Sequence, residues 1–213
     1  MRTEELIDAL SRDVPRVPPS AVARRLGFGL VAGAIASLGL MTLALGLRPD
    51  LSAAVLDFPF WMKWGYTASL AIAAAYLTSR LARPDSDQFR QMWLIAIPVC
   101  ALTFIAVVEL MSAPRSEWLS MWLGHSWKAC SSLVLMLSVP VFLGLLWSFR
   151  RFAPTRLRAA GAAAGLTAGA SAATVYCLHC PEVSAIFVLT WYSLGMILAA
   201  VAGALVGPRI LRW

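Results

Sequence analysis

Residues 26–47 read LGFGLVAGAIASLGLMTLALGL, twenty-two positions without a charge. A spanning helix needs about 20 apolar residues, because each adds ~1.5 Å across a hydrocarbon core ~30 Å thick. This run meets that length, and the pattern recurs on the C-terminal side. Further runs cover about Phe60 to Ser79 with Lys63 near one end, Gln91 to Met111 containing Glu109, and Ala129 to Phe149. Two more cover Ala159 to about Leu178 and about Val183 to Gly207. Strand-like alternation is absent, and lipid leaves no backbone group unpaired at low cost. The expected fold class is an all-α integral membrane protein, a six-transmembrane-helix bundle over residues 26–213 behind an arm of residues 1–25.

Composition agrees. Hydrophobic residues make up 60% of the chain, charged residues 14%, and mean hydropathy is +0.73. A water-exposed surface normally draws on about 25% charged residues. The net charge of +7 comes from arginines clustered between apolar runs, so it points to membrane topology and away from direct nucleic-acid binding. Of 18 lysines and arginines, only Arg48, Lys63, Arg115 and Lys128 fall in the loops on one side. The rest flank the other side, so the positive-inside rule predicts a cytoplasmic N-terminus and C-terminus. Trp61, Trp64, Trp118, Trp122 and Trp127 gather at the predicted outer boundary as an aromatic belt. The first 25 residues carry no apolar core or cleavage site, so no signal peptide is expected.

Gly161, Gly165 and Gly169 recur at four-residue spacing, as do Gly29 with Gly33 and Gly203 with Gly207. Small residues on one face let helices approach closely in lipid, and packing within one bundle is expected over dimerisation. Pro98 and Pro140 should kink the third and fourth spans.

The arm has one element. Thr3 to Arg12 reads as a short helix with Leu6, Ile7, Leu10 and Val14 on one face and Glu4 and Glu5 in its first turn. Pro15, Pro18 and Pro19 end it and form a stiff spacer. Ten residues cannot hold a helix alone in water, so the arm must fold against something or stay unfolded. Its charge mix of Glu4, Glu5, Asp8, Arg12 and Asp13 is acidic, which disfavours an anionic lipid surface and favours a protein partner with an apolar groove.

Three cysteines converge on the outer boundary, in Gly124-His125-Ser126-Trp127-Lys128-Ala129-Cys130 and in Cys177-Leu178-His179-Cys180-Pro181-Glu182. Cys130 opens its helix near Lys128, which should stabilise a thiolate, whereas Cys177 and Cys180 close theirs. The Cys-Leu-His-Cys element therefore differs from a thioredoxin-type motif, which opens a helix. Cys130 and Cys180 at similar depth suit a disulfide, or a soft metal ion shared with His125 and His179. Buried small residues with packed histidines are an equal alternative. Cys100, at mid-span, reads as a buried small hydrophobe, and Glu109 reads as a boundary residue. No nucleophile elbow, phosphate loop, paired carboxylates or His-Glu-x-x-His motif appears, so no catalytic residues and no enzyme are expected. A quinone-linked membrane thiol-disulfide oxidoreductase is the main alternative, but it would need a second cysteine pair.

Five pieces together resemble one bacterial family, the NrsF-type membrane anti-sigma factors, negative regulators of sigma-F. They are the opening Met1-Arg2-Thr3-Glu4-Glu5-Leu6-Ile7-Asp8-Ala9-Leu10, the turn Gly46-Leu47-Arg48-Pro49-Asp50-Leu51, a cysteine heading the fourth span, Leu178-His179-Cys180-Pro181, and the end Leu211-Arg212-Trp213. The resemblance implies a partner, an extracytoplasmic-function sigma factor held at the inner membrane, and it implies that Cys130 and Cys180 regulate release under metal or oxidative stress. Cys177 lies outside the family pattern. With this partner, Leu6, Ile7 and Leu10, flanked by Glu5 and Asp8, become the expected sigma-binding residues, assisted by Arg24 and Arg25. No resident cofactor is implied beyond a transient soft metal ion at Cys130, Cys180 and His179.

Overall fold

The structure, a computed structural model, describes residues 3–4, 21–82, 92–150, 152 and 154–211. Among these the regular elements are all helices, with no strand. The long helices are α1 (Ala21–Ala44), α3 (Phe58–Leu81), α4 (Trp93–Ser112), α6 (Trp127–Phe149), α7 (Leu157–Tyr176) and α9 (Ser193–Ile210). Short elements fill the loops at one end: α2 (Leu51–Ala54), α5 (Trp118–Leu123) behind a 3-10 turn, and α8 (Ala185–Phe187), which a π-turn over Val188–Tyr192 joins to α9. Thr3 and Glu4 are helical. The rest of the expected arm helix, with Glu5, Leu6, Ile7, Asp8 and Leu10, lies outside the described residues, as do Arg212 and Trp213.

Each of the six apolar runs forms a long helix with ends displaced by a few residues, the sixth as the continuous stretch Ala185–Ile210 made of α8, the π-turn and α9. They are not equally apolar. Four segments are long and apolar enough to cross a membrane: α1, α4, the stretch Arg115–Phe149 and the stretch Ala185–Ile210. The exceptions, α3 and α7, are 24 and 20 residues long. Of the two, α7 is an interior helix, whereas α3 leaves Trp61, Ile72 and Tyr76 exposed on one face. α7 packs against α3, α6 and α9 and buries alanines and glycines around most of its circumference. A helix facing protein needs small residues more than hydrophobicity, because van der Waals packing drives helix association in lipid. α4 is the opposite case, burying only Leu102 and Ala106 along its length.

Glycines set the closest contacts. A Cβ on Gly161 would overlap the Gly203 carbonyl oxygen, one on Gly165 the Ala199 carbonyl oxygen, and one on Gly203 the Gly161 carbonyl oxygen. On the opposite flank, a Cβ on Gly29 would overlap the Gly144 carbonyl oxygen of α6. The glycine spacing thus serves packing within this bundle. Interhelical hydrogen bonds fix the register: Ser37 Oγ donates to Leu137 O at 2.9 Å, Ser148 Oγ to Arg25 O at 3.0 Å, and the hydroxyls of Thr78 and Thr167 meet at 2.9 Å. Pro98 and Pro140 both sit inside continuous helices.

Helix directions alternate, so the bundle has an arginine end, with Arg24, Arg25, Arg80, Arg150, Arg156, Arg158 and Arg209, and a thiol end. Two apolar clusters stack between them. The larger holds Cys130, Cys177, Cys180, Tyr176, Tyr192 and Phe187.

Candidate functional site: a buried thiol layer and the turn that closes it

After Tyr176 the chain leaves α7 and runs extended from Cys180 to Ser184 before α8 begins. This turn touches the thiol ends of the neighbouring helices through backbone and side-chain hydrogen bonds. Leu178 O accepts from Arg48 N at 3.1 Å, and His179 Nδ1 meets Gly46 O at 2.9 Å, tying the turn to the loop after α1. Lys63 Nζ of α3 donates to Cys180 O at 3.0 Å and to Glu182 O. Glu182 Oε1 accepts from His125 N at 2.7 Å, Ser126 N at 3.0 Å and Ser126 Oγ at 3.1 Å, capping the start of α6. Glu109 of α4 accepts from Ala185 N at 2.7 Å, capping α8. Carboxylates at these positions satisfy amide donors that a helix start leaves orphaned and complement its dipole. Gly124, at φ 56°, makes room: a Cβ there would meet the Glu182 carboxylate and the Phe187 ring.

Beneath the turn, Cys130, Cys177 and Cys180 are free thiols, each 0% exposed. Thr67 Oγ1 lies 3.8 Å from Cys177 Sγ, and Ser126 Oγ lies 3.8 Å from Cys180 Sγ. The tilted rings of Tyr176 and Tyr192 meet at 5.5 Å over the same layer, and the buried Tyr192 hydroxyl lacks a hydrogen-bond partner of ordinary geometry. Trp191, between Trp122 and Trp127 at 5.7 and 5.3 Å, donates Nε1 to Trp122 O and forms the rim. Beside the turn, Arg48 holds Asp50 through paired hydrogen bonds of 2.8 and 2.7 Å. These lower the exposed Asp50 carboxyl to about 2 and raise Arg48 above its ordinary value.

The sequence expectations meet this geometry unevenly. Cys130, Cys177 and Cys180 do share one cluster. The expected metal set does not assemble: among the described residues no three His, Cys, Asp or Glu side chains stand together as a metal site. His179 is committed to Gly46 O, and the His125 side chain is exposed. Lys128 does not attend Cys130. Its ammonium lies over the Trp127 ring at 5.6 Å, because a residue two positions before Cys130 on a helix faces away from it. The cation at the thiols is Lys63, read from sequence as a flanking charge and in fact 0% exposed. Cys100, expected to be buried, is exposed, because α4 buries only a narrow face. Glu109 does lie near the end of its helix, where its carboxylate takes on the capping role above. Sequence reasoning missed Lys63 and Glu182, and an ionisable group inside an apolar run was the available signal for the first.

Fold and site together define a class: a helical bundle with four segments long and apolar enough to cross a membrane, one end of which is closed by a turn over a sealed thiol layer. The match to the family described as negative regulator of sigma F covers residues 10–213, and the chain belongs to that family. It is 41% identical over 213 residues to "Probable anti-sigma-F factor NrsF" of Azospira oryzae, covering all of both chains. It is 39% identical over 215 residues to "Anti-sigma-F factor NrsF" of Caulobacter vibrioides, again over all of both. No solved structure matches the chain.

Proposed function

We propose that this protein is a membrane-bound, non-enzymatic anti-sigma factor that holds a sigma factor of the extracytoplasmic-function class at the bacterial inner membrane. The observation that carries this reading is full-length similarity, at about 40% identity, to two proteins named as anti-sigma-F factors. In this reading all six long helices cross the bilayer and both termini are cytoplasmic, with the arginine end inward. The arm docks on the sigma factor through Leu6, Ile7 and Leu10, with Glu5 and Asp8 at the edge and Arg24 and Arg25 at the membrane. Chemical change at Cys130 and Cys180, by oxidation or by a soft metal ion that draws in His179 or His125, opens the turn and shifts the bundle to a state that releases the partner. No resident cofactor is needed.

Such a signal acts only through its differential energy between the two states. Driving the held fraction from 99:1 to 1:99 takes about 5.5 kcal/mol, so several contacts of the turn must change together. The test is retention of the sigma factor on membranes. The double variant Leu6→Asp, Leu10→Asp should leave it soluble, and Cys130→Ser with Cys180→Ser should keep it bound after cadmium or peroxide treatment. A sigma factor retained by the arm variant would refute the docking. Release from the cysteine variant at the wild-type dose would refute the sensing.

A further inference from the structure

A lysine side chain with no exposed surface is costly unless its donors are satisfied, because desolvating an ammonium outweighs modest compensation. Lys63 is such a residue, and among the described residues no carboxylate stands within ion-pair distance of it. Its ammonium goes to the carbonyls of Cys180 and Glu182, two residues apart on the closing turn. An apolar side chain of similar length would fill the same space more cheaply, so simple packing does not account for a charge here. What the charge adds is direction: it fixes one turn conformation against α3, 117 and 119 positions away in sequence. The hold extends further, since Glu182, gripped at its carbonyl by Lys63, caps through its carboxylate the first turn of α6. That turn carries Cys130. One ammonium therefore sets the place of Cys180 directly and of Cys130 through a single intervening residue.

We propose that Lys63 is the positioning residue of the thiol layer, the clamp that keeps the turn shut over Cys130 and Cys180. The proposal rests on the thiol-sensing reading for its meaning, but not for its test. With the turn open, Lys63 loses both acceptors in an apolar layer and must find others. α3 then shifts against α7, and the shift reaches Arg80 at the arginine end of the same helix.

The experiment uses the full chain in membranes, without sigma factor or inducer, and reads modification of Cys130 and Cys180 by N-ethylmaleimide. Cys100→Ser and Cys177→Ser leave only these two thiols. Lys63→Met should raise the labelling rate at both by roughly tenfold or more, since a lost charge-assisted hydrogen bond is worth about one decade in local opening. Lys63→Arg keeps two donors for the carbonyls and should label within about threefold of the parent, a few tenths of a decade. A residue that merely fills space would give the reverse order, with Met harmless and the bulkier Arg damaging. The proposal is overturned if Met labels as slowly as the parent or Arg as fast as Met. Should Lys63→Met not accumulate in membranes, Lys63→Gln replaces it, with labelling faster than Arg expected and parental labelling overturning the idea. Failure of the sensing reading would show instead as wild-type sigma release from the cysteine variants, with the labelling order intact.

Discussion

Glu182 makes three contacts with one oxygen, and those contacts start α6. Glu182→Ala should cost about 1–2 kcal/mol, the usual worth of a helix cap, read as a lower melting temperature in detergent. Glu182→Gln keeps an acceptor oxygen and should cost less. The Arg48–Asp50 pair answers a different question. Its carboxyl lies at about 2 in the folded protein against an ordinary 3.8. A lowered folded value means that the contribution is fully present above about pH 4 and is lost as pH falls toward 2. The turn beside His179 should therefore keep this pair from pH 5 to 8, and a carboxyl-carbon NMR titration of Asp50 should show its midpoint near 2. At this scale the sequence was informative about the thiols and misleading about their cation. Lys128 is near Cys130 in the chain, but its ammonium goes to the Trp127 ring. Lys63 finds its acceptors on a turn more than a hundred residues away, which no local spacing encodes.

The seam between α7 and α9 is a backbone-to-backbone contact. Gly161→Ala and Gly203→Ala each place a methyl group against a carbonyl oxygen, and overpacking of this kind costs about 1–3 kcal/mol. Gly39 of α1 faces open space, with nothing within 4 Å of where a methyl group would stand. Gly39→Ala should therefore be neutral or gain up to about 1 kcal/mol from helix propensity. Unfolding in mixed detergent, comparing the three variants, checks both signs. The glycine periodicity made this seam legible in the sequence, because a four-residue spacing of glycines has few other uses in an apolar helix. The ranking of the helices was not readable. Hydropathy records what a helix is made of, whereas α7 is mild because its neighbours are other helices. Cys100 was misjudged for the same reason: depth along α4 follows from sequence, and facing direction does not.

Across the whole molecule, the charge asymmetry that orders the loops also orders the two ends of the bundle. If the arginine end is inward, an impermeant maleimide added to intact spheroplasts should label Ser52→Cys and Ser116→Cys but not Thr155→Cys. Labelling of the last would invert the orientation. Six long helices and the gathering of three cysteines at one end were legible, because apolar length and loop charge are one-dimensional signals; which helix packs against which was not. The closing turn was half legible: its Leu178–Pro181 stretch stood out, but the grip of Lys63 runs through the main-chain carbonyls of Cys180 and Glu182, which leave almost no mark on the choice of side chains.

The absence of any water-contacting surface on Cys130 and Cys180 has a consequence for timing. A reagent can capture only those molecules whose turn has momentarily lifted, so the reaction has two steps, lifting and capture. At low dose the rate should climb in proportion to reagent. At high dose it should flatten at a ceiling equal to the lifting frequency, whatever the reagent. Such a protein would ignore brief pulses shorter than its own period of opening and would register only exposures that outlast it.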